Sequence, residues 1–452
     1  MSESHSQSPA VPATVGQPRG GQLSAQQRRI IAPDLARGLA LLGIALANIA
    51  TAWTTAEGAE RAVSLGGVYD GSALDRAAAV FSAMFVHVRG LPMFSTLLGF
   101  GVGLITMSLW RRAYPRSTAR WVLVRRYGLL AAFGALHMVL LFFGDIMVLY
   151  GLSGIVLALL MPLRDRTLMW IAGVLLGLQF IGFTAMGVVS VIFPEAGAAA
   201  DTQLPVAESY GGWVLNNLLV LLLAPVSFIP QALTLIPVMI IGFVWARRGV
   251  LIDPDAHARL LWRWVWVGAA VVLLIGLPRG LAEIGVIAPG STGLWSMLNT
   301  SFGLLTGPAI VAGVTLACRG LQRRIDDAHA DGRGARLSPP LVALTALGKR
   351  SMSGYILQSL LFVILVLPFG FGLGQNEGAF QLLIWATVVW LITLAAAYGL
   401  ELAGKPGPFE WVHRRLSYGR DGLRERYAPT AGQPMPLPPR QPGPPENPHR
   451  RG

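Results

Sequence analysis

One cysteine, Cys318, serves 452 residues. A single thiol excludes a disulfide framework within the chain and any cysteine-built zinc site. Charge is also scarce, at 13% of residues against 53% hydrophobic, where soluble domains carry about 25% charged residues. Lysine is almost missing, since of 36 basic residues only Lys349 and Lys405 are lysines. No Walker loop or dinucleotide fingerprint occurs: "GFGVGL" from Gly99 sits inside an apolar run and follows no strand, so its glycines point to close helix packing. What the chain has in abundance is long apolar runs. They predict an all-α, polytopic integral membrane bundle, with the lipid bilayer as its first partner.

Ten windows are apolar over the length of a membrane span, at 35–53, 91–109, 121–142, 146–163, 168–193, 226–246, 261–278, 293–317, 341–368 and 380–403. Alternate loops collect the arginines, among them Arg28, Arg111, Arg164, Arg247, Arg319 and Arg414, while the loops between them carry Glu57, Asp75, Asp201 and Glu377. The positive-inside rule places the arginine loops and both termini in the cytoplasm of a multi-pass plasma (inner) membrane protein. The same rule accounts for the net charge of +13 without a nucleic-acid partner. Two stretches, 77–88 and 213–224, are apolar but short, and the second stops at Pro225; both read as interfacial or re-entrant helices. Residues 1–32 and 421–452, rich in Ser, Gln and Pro, read as flexible cytoplasmic tails around a membrane domain at 33–420. No repeat relates the two halves, which weakens an inverted-repeat transporter reading.

Polar residues inside apolar spans are the informative ones, because a charge at a helix centre costs roughly 2.5 to 3.5 kcal/mol on insertion scales. Asp34 and Arg37, three apart, share a face at the start of the first span, as an interfacial ion pair or as a gate. Asn48 lies deeper in that span and needs a partner from another helix. Ser351, Tyr355 and Gln358 lie along one face of the ninth span, as a stripe joining two helices or as part of a site. No metal-ligating cluster is recognisable.

The stretch "DLARGLALLGIALANI" resembles the first-span signature of the YeiB-like bacterial membrane proteins, a family of unknown function. Three further stretches fit the resemblance: "GALHMVLLFFGDIMVLYGLSGIVLAL" from Gly134, "ALGKRSMSGYILQSLL" from Ala346 and "KPGPFEWVHRRLSYGR" from Lys405. Gly354 stands where an Asn is more usual. That family is in turn similar to transmembrane acyltransferases, including the lysosomal heparan-α-glucosaminide N-acetyltransferase and the bacterial membrane O-acyltransferases. The resemblance implies transfer of an acyl group from cytoplasmic acyl-CoA, a substrate and not a resident cofactor, to a hydroxyl or amine of a small-molecule or cell-envelope acceptor at the outer face. It is compatible with a homo-oligomer. The bacterial O-acyltransferases typically carry His ten positions after the glycine that follows Arg37, and this chain has Asn48 there.

An amide cannot take a proton at neutral pH, so the chemistry needs another base, with Asn48 left to donate to an oxyanion. Of seven histidines, His5 and His449 lie in the tails and His257, His329 and His413 in cytoplasmic segments, leaving His137 and His87. His137 stands about two turns from Asp145, a pairing suited to general base catalysis, or alternatively a bundle hydrogen bond beside a helix cap. His87 is either a reactive histidine or an interfacial one beside Arg89. Arg125 and Arg126 can receive CoA phosphates or anchor the span. The alternative function is a small-molecule transporter or exporter that uses Asp34 and Arg37 as gate charges.

Overall fold

Apolar runs long enough to cross a bilayer become helices in the computed structural model, which describes residues 30–193, 207–331, 337–420 and 422–427. The chain is an all-α polytopic membrane bundle, and among the described residues it has no strand beyond one isolated bridge between Arg61 and Val68. Helix α1 is Ile31–Asn48, continued by a π turn at Ile49–Trp53; α2 is Ala73–Phe81, followed by a π turn at Ser82–Val86; α3 is Gly90–Arg111. Next come α4 (Arg116–Leu140), α5 (Ile146–Leu160), α6 (Asp165–Ile192) and α7 (Tyr210–Arg248). One bent span combines α8 (Ala258–Val271) with α9 (Leu277–Glu283), and another combines α10 (Thr292–Phe302) with α11 (Thr306–Ala317). The amphipathic α12 (Arg319–Ala330), the pair α13 (Pro339–Lys349) and α14 (Ser351–Leu365), the last span α15 (Ala379–Leu402) and the short α16 (Pro408–Tyr418) complete the series.

Among the described residues eight helices are long and apolar enough to cross a membrane, and they coincide with eight of the ten expected spans. The other two windows are shorter helices. Residues 146–163 form α5, and 341–368 divides at Arg350 into α13 and α14. Arg350 ends the run because its guanidinium is drawn aside to the Glu401 carboxylate at 2.6 Å and to the carbonyls of Ala346 and Lys405.

One expectation is corrected. Residues 213–224 do not end at Pro225, because α7 runs unbroken through it for 39 residues. Proline removes one donor and crowds the carbonyl four residues back, yet the helical backbone continues on both sides of it. The start of α7 also has work to do at a neighbour's end. Tyr210, Trp213 and Asn217 donate to the carbonyls of Leu140, Leu141 and Val139, which the C-terminus of α4 leaves without helical partners. Residues 77–88 are not a span: α2 and its π turn end at His87, where Val88 takes a positive φ of 57°. The Arg89 guanidinium then caps the carbonyls of Ala83, Met84 and Val88.

Glycine decides how closely the helices meet. A Cβ on Gly348 would overlap the carbonyl of Asp34, and one on Gly38 the carbonyl of Leu344, so α1 and α13 pack backbone to backbone. On α5, Gly151 and Gly154 let the helix seat against Tyr127 and Ala131 of α4. The tail expected at 1–32 lies outside the described residues up to residue 29, and α1 begins at Ile31. The tail expected from 421 opens with a docked segment: the Tyr427 N–H donates to the Arg112 carbonyl, and Arg112 reaches back to the carbonyls of Leu423 and Arg424. Its remainder from 428 lies outside the described residues.

Candidate functional site

The "DLARG" turn of α1 puts Arg37 at the mouth of a cavity of about 470 Å³. Asp34, one turn earlier, holds the Arg37 guanidinium at 3.0 Å. Arg126 of α4, Lys349 of α13 and Arg414 of α16 line the same cavity, so four helices each bring a cation to it, and the Lys349 ammonium is paired with the Glu401 carboxylate at 2.6 Å. The wall beyond them is mostly hydrocarbon, from Leu41, Leu97, Leu104, Leu130 and Met147 among others. Along α3 the lining extends from Phe94 to Ile105, a span of about 16 Å at about 1.5 Å per residue. Tyr150 and Tyr355 are also part of the wall. The Tyr150 hydroxyl is taken up by Ser95 and the Leu91 carbonyl, each at 3.2 Å.

Behind Tyr355 stands the pair that the sequence singles out. Nδ1 of His137 lies 2.7 Å from Oδ2 of Asp145, and both side chains are buried. Gly134 permits this contact, since a Cβ there would press on the Asp145 carboxylate and the start of α5. The other Asp145 oxygen caps α5 by accepting from the Val148 N–H at 2.7 Å. Nδ1 is the ring nitrogen turned to the carboxylate, within ion-pair distance but without hydrogen-bond geometry, and Nε2 has no hydrogen-bond partner among the described residues either. The imidazole packs against Tyr355 with ring centroids 5.0 Å apart, so Tyr355 touches both the cavity and the pair. In the same buried cluster as Tyr355, Trp53 stacks on Phe142 at 4.7 Å and on Phe362 at 5.3 Å, with Trp213 alongside at 5.6 Å.

The remaining candidates divide. Ser351 and Tyr355 line the cavity, whereas Gln358 turns to α1 and donates to the Leu41 carbonyl, so its part of the stripe joins helices. Arg126 lines the mouth; Arg125 does not, and binds the Leu416 carbonyl of α16 at 2.7 Å. Asn48, half-buried at the junction of α1 and its π turn, is not part of the cavity wall that Arg37 and Leu41 form. His87 is buried in a separate cluster with Arg89, Arg279 and Asn299, and Asn299 accepts from Arg89 at 2.8 Å. Among the described residues no group of three or more His, Cys, Asp or Glu is placed to hold a metal.

Sequence reasoning missed the contribution of α16. Its Glu410, His413 and Arg414 all line the cavity. Glu410 accepts from the N–H groups of Met352 and Ser353 and from the Ser353 hydroxyl, which fixes α16 across the start of α14. His413 Nε2 lies 2.9 Å from the Arg126 carbonyl, an acceptor only, so Nε2 carries the proton and Nδ1 keeps its lone pair. Burial and the neighbouring Arg126 charge push this imidazole down to about 4. The available signal was the stretch from Lys405, which carries family resemblance although it follows the last span.

Residues 245–420 match the model of a family described as "Protein of unknown function (DUF418)". The chain is 24% identical over 413 residues to the uncharacterized protein YxaH of Bacillus subtilis (strain 168), covering 86% of this chain and 94% of that one. It is also 24% identical over 426 residues to the uncharacterized protein YeiB of Escherichia coli (strain K12), covering 86% of this chain and 96% of the relative. No solved structure matches.

Proposed function

The chain belongs to the YeiB-like family of bacterial membrane proteins, and from its cavity we propose that it is a transmembrane acyltransferase fed by acyl-CoA. The observation that carries the proposal is a single cavity lined by four cations, with a buried imidazole–carboxylate pair behind its wall. Arg37, Arg126 and Arg414 line the cavity and offer guanidinium donors to the CoA phosphates, with Lys349 held beside them by Glu401. The pantetheine arm then follows the cavity inward and brings the thioester to Tyr355. An acceptor hydroxyl attacks the thioester carbonyl, forming C–O and breaking C–S. Its proton passes by way of Tyr355 to Nε2 of His137 and is returned to the departing thiolate. Asp145 holds Nδ1–H and stabilises the imidazolium while it lasts.

His137→Ala is expected to lower transfer from acyl-CoA by about a hundredfold or more, while Arg37→Gln and Arg126→Gln chiefly weaken donor binding. The assay is turnover and CoA binding by the purified protein with candidate hydroxyl and amine acceptors. Full turnover in a folded His137→Ala variant removes the base assignment. A second reading, export of an amphipathic anion, is favoured by the break at Arg350, since discontinuous helices line transporter sites. Passage of an intact labelled acyl-CoA across proteoliposomes, without thioester cleavage, would decide for it.

A further inference from the structure

The three glycines of "GFGVG" do not share one role. A Cβ on Gly99 would overlap the Met239 carbonyl, and one on Gly103 would lie 2.5 Å from the Ala246 Cβ and 2.9 Å from the Phe243 carbonyl. Those two, four residues apart, lie on the face that α3 presses against α7. Gly101 falls between them in sequence and about half a turn away around the helix. Its only neighbour within 4 Å of a built Cβ is Nη2 of Arg37, at 3.8 Å, and the residue lines the cavity. The bare wall there is therefore unrelated to packing. A side chain at 101 would stand in the cavity beside the guanidinium.

We infer that Gly101 is a specificity-determining position, which admits the branched dimethyl carbon of the CoA arm where it leaves the diphosphate. The inference rests on the acyl-CoA reading above and adds the register of the ligand along α3. A diphosphate paired with Arg37 places the next atoms of the arm alongside Gly101. In CoA those atoms are a CH₂ and then a quaternary carbon bearing two methyl groups, the widest point of the arm. Deeper along the arm the chain is unbranched and narrower, and there the wall carries full side chains at Leu97 and Leu98.

The test compares two probes on the full chain in nanodiscs by calorimetry: CoA, and ADP as a diphosphate head without an arm. Gly101→Leu is expected to weaken CoA at least tenfold more than it weakens ADP, and Gly101→Ala to produce a smaller loss in the same direction. Should Gly101→Leu fail to fold, Gly101→Ala decides alone, because its Cβ makes only an ordinary contact. Equal losses for the two probes, or no loss, overturn the inference while CoA binding by the parent chain upholds the acyl-CoA reading. If the parent chain binds neither probe, the acyl-CoA reading and the inference fall together.

Discussion

His413 shows how a residue beyond the last span becomes part of a membrane cavity. Its imidazole, ordinarily near 6.5, is pushed down to about 4, first by burial and then by the Arg126 charge. In the unfolded chain it gains a proton below about 6.5, whereas in the folded chain it stays neutral until about 4. Between those values the unfolded state binds more protons, so the neutral-pH stability is lost progressively as pH falls through this window. His413→Gln keeps an N–H for the Arg126 carbonyl and removes the titration. Melting curves of parent and variant at pH 7.5, 5.5 and 4.5 should diverge in slope, with the variant less sensitive to acid; parallel curves would exclude this role. The position of His413 in the wall was not legible in sequence, because it depends on α16 folding back over α4, which no local pattern encodes. The His137–Asp145 pair was legible, because the turn between two adjacent spans limits where the two residues can go.

At the scale of elements, α14 begins inside what hydropathy presents as one continuous span. Window averages dilute Arg350 among its apolar neighbours, and only the Glu401 carboxylate shows why the helix breaks there. The same averaging hides the π turns at Ile49–Trp53, Ser82–Val86 and Val272–Gly276. The opposite holds at Pro225, where a local rule for helix breaking predicts an end and α7 runs on through the residue. The new start of α14 needs an acceptor for its first N–H groups, and Glu410 supplies one from α16. Loss of a helix cap costs about 0.5 to 2 kcal/mol. Glu410→Ala should therefore lower the melting temperature and loosen α16, read as faster amide exchange at residues 408–418. Glu410→Gln, which retains an acceptor oxygen, should fall between the parent and Glu410→Ala. Unaltered exchange in both variants would show that α16 is held by its other contacts, such as Arg125 on the Leu416 carbonyl.

For the whole molecule, composition and run length were enough to specify a helical membrane bundle, since only helices and closed barrels satisfy the backbone in lipid and continuous apolar runs of this length fit helices and not alternating barrel strands. Its orientation rests on loop charge. With Cys318→Ser as background, a cysteine at Ser209 should react with an impermeant maleimide in intact cells, and one at Ser117 only after lysis; both positions are exposed. Labelling of Ser117 from outside would invert the arrangement. A further consequence concerns how the buried pair is reached. His137 and Asp145 are both buried, and the imidazole packs on Tyr355, a residue that also lines the cavity. Whatever fills the cavity meets the phenol ring before it meets the imidazole, so a single aromatic side chain stands as the door between them.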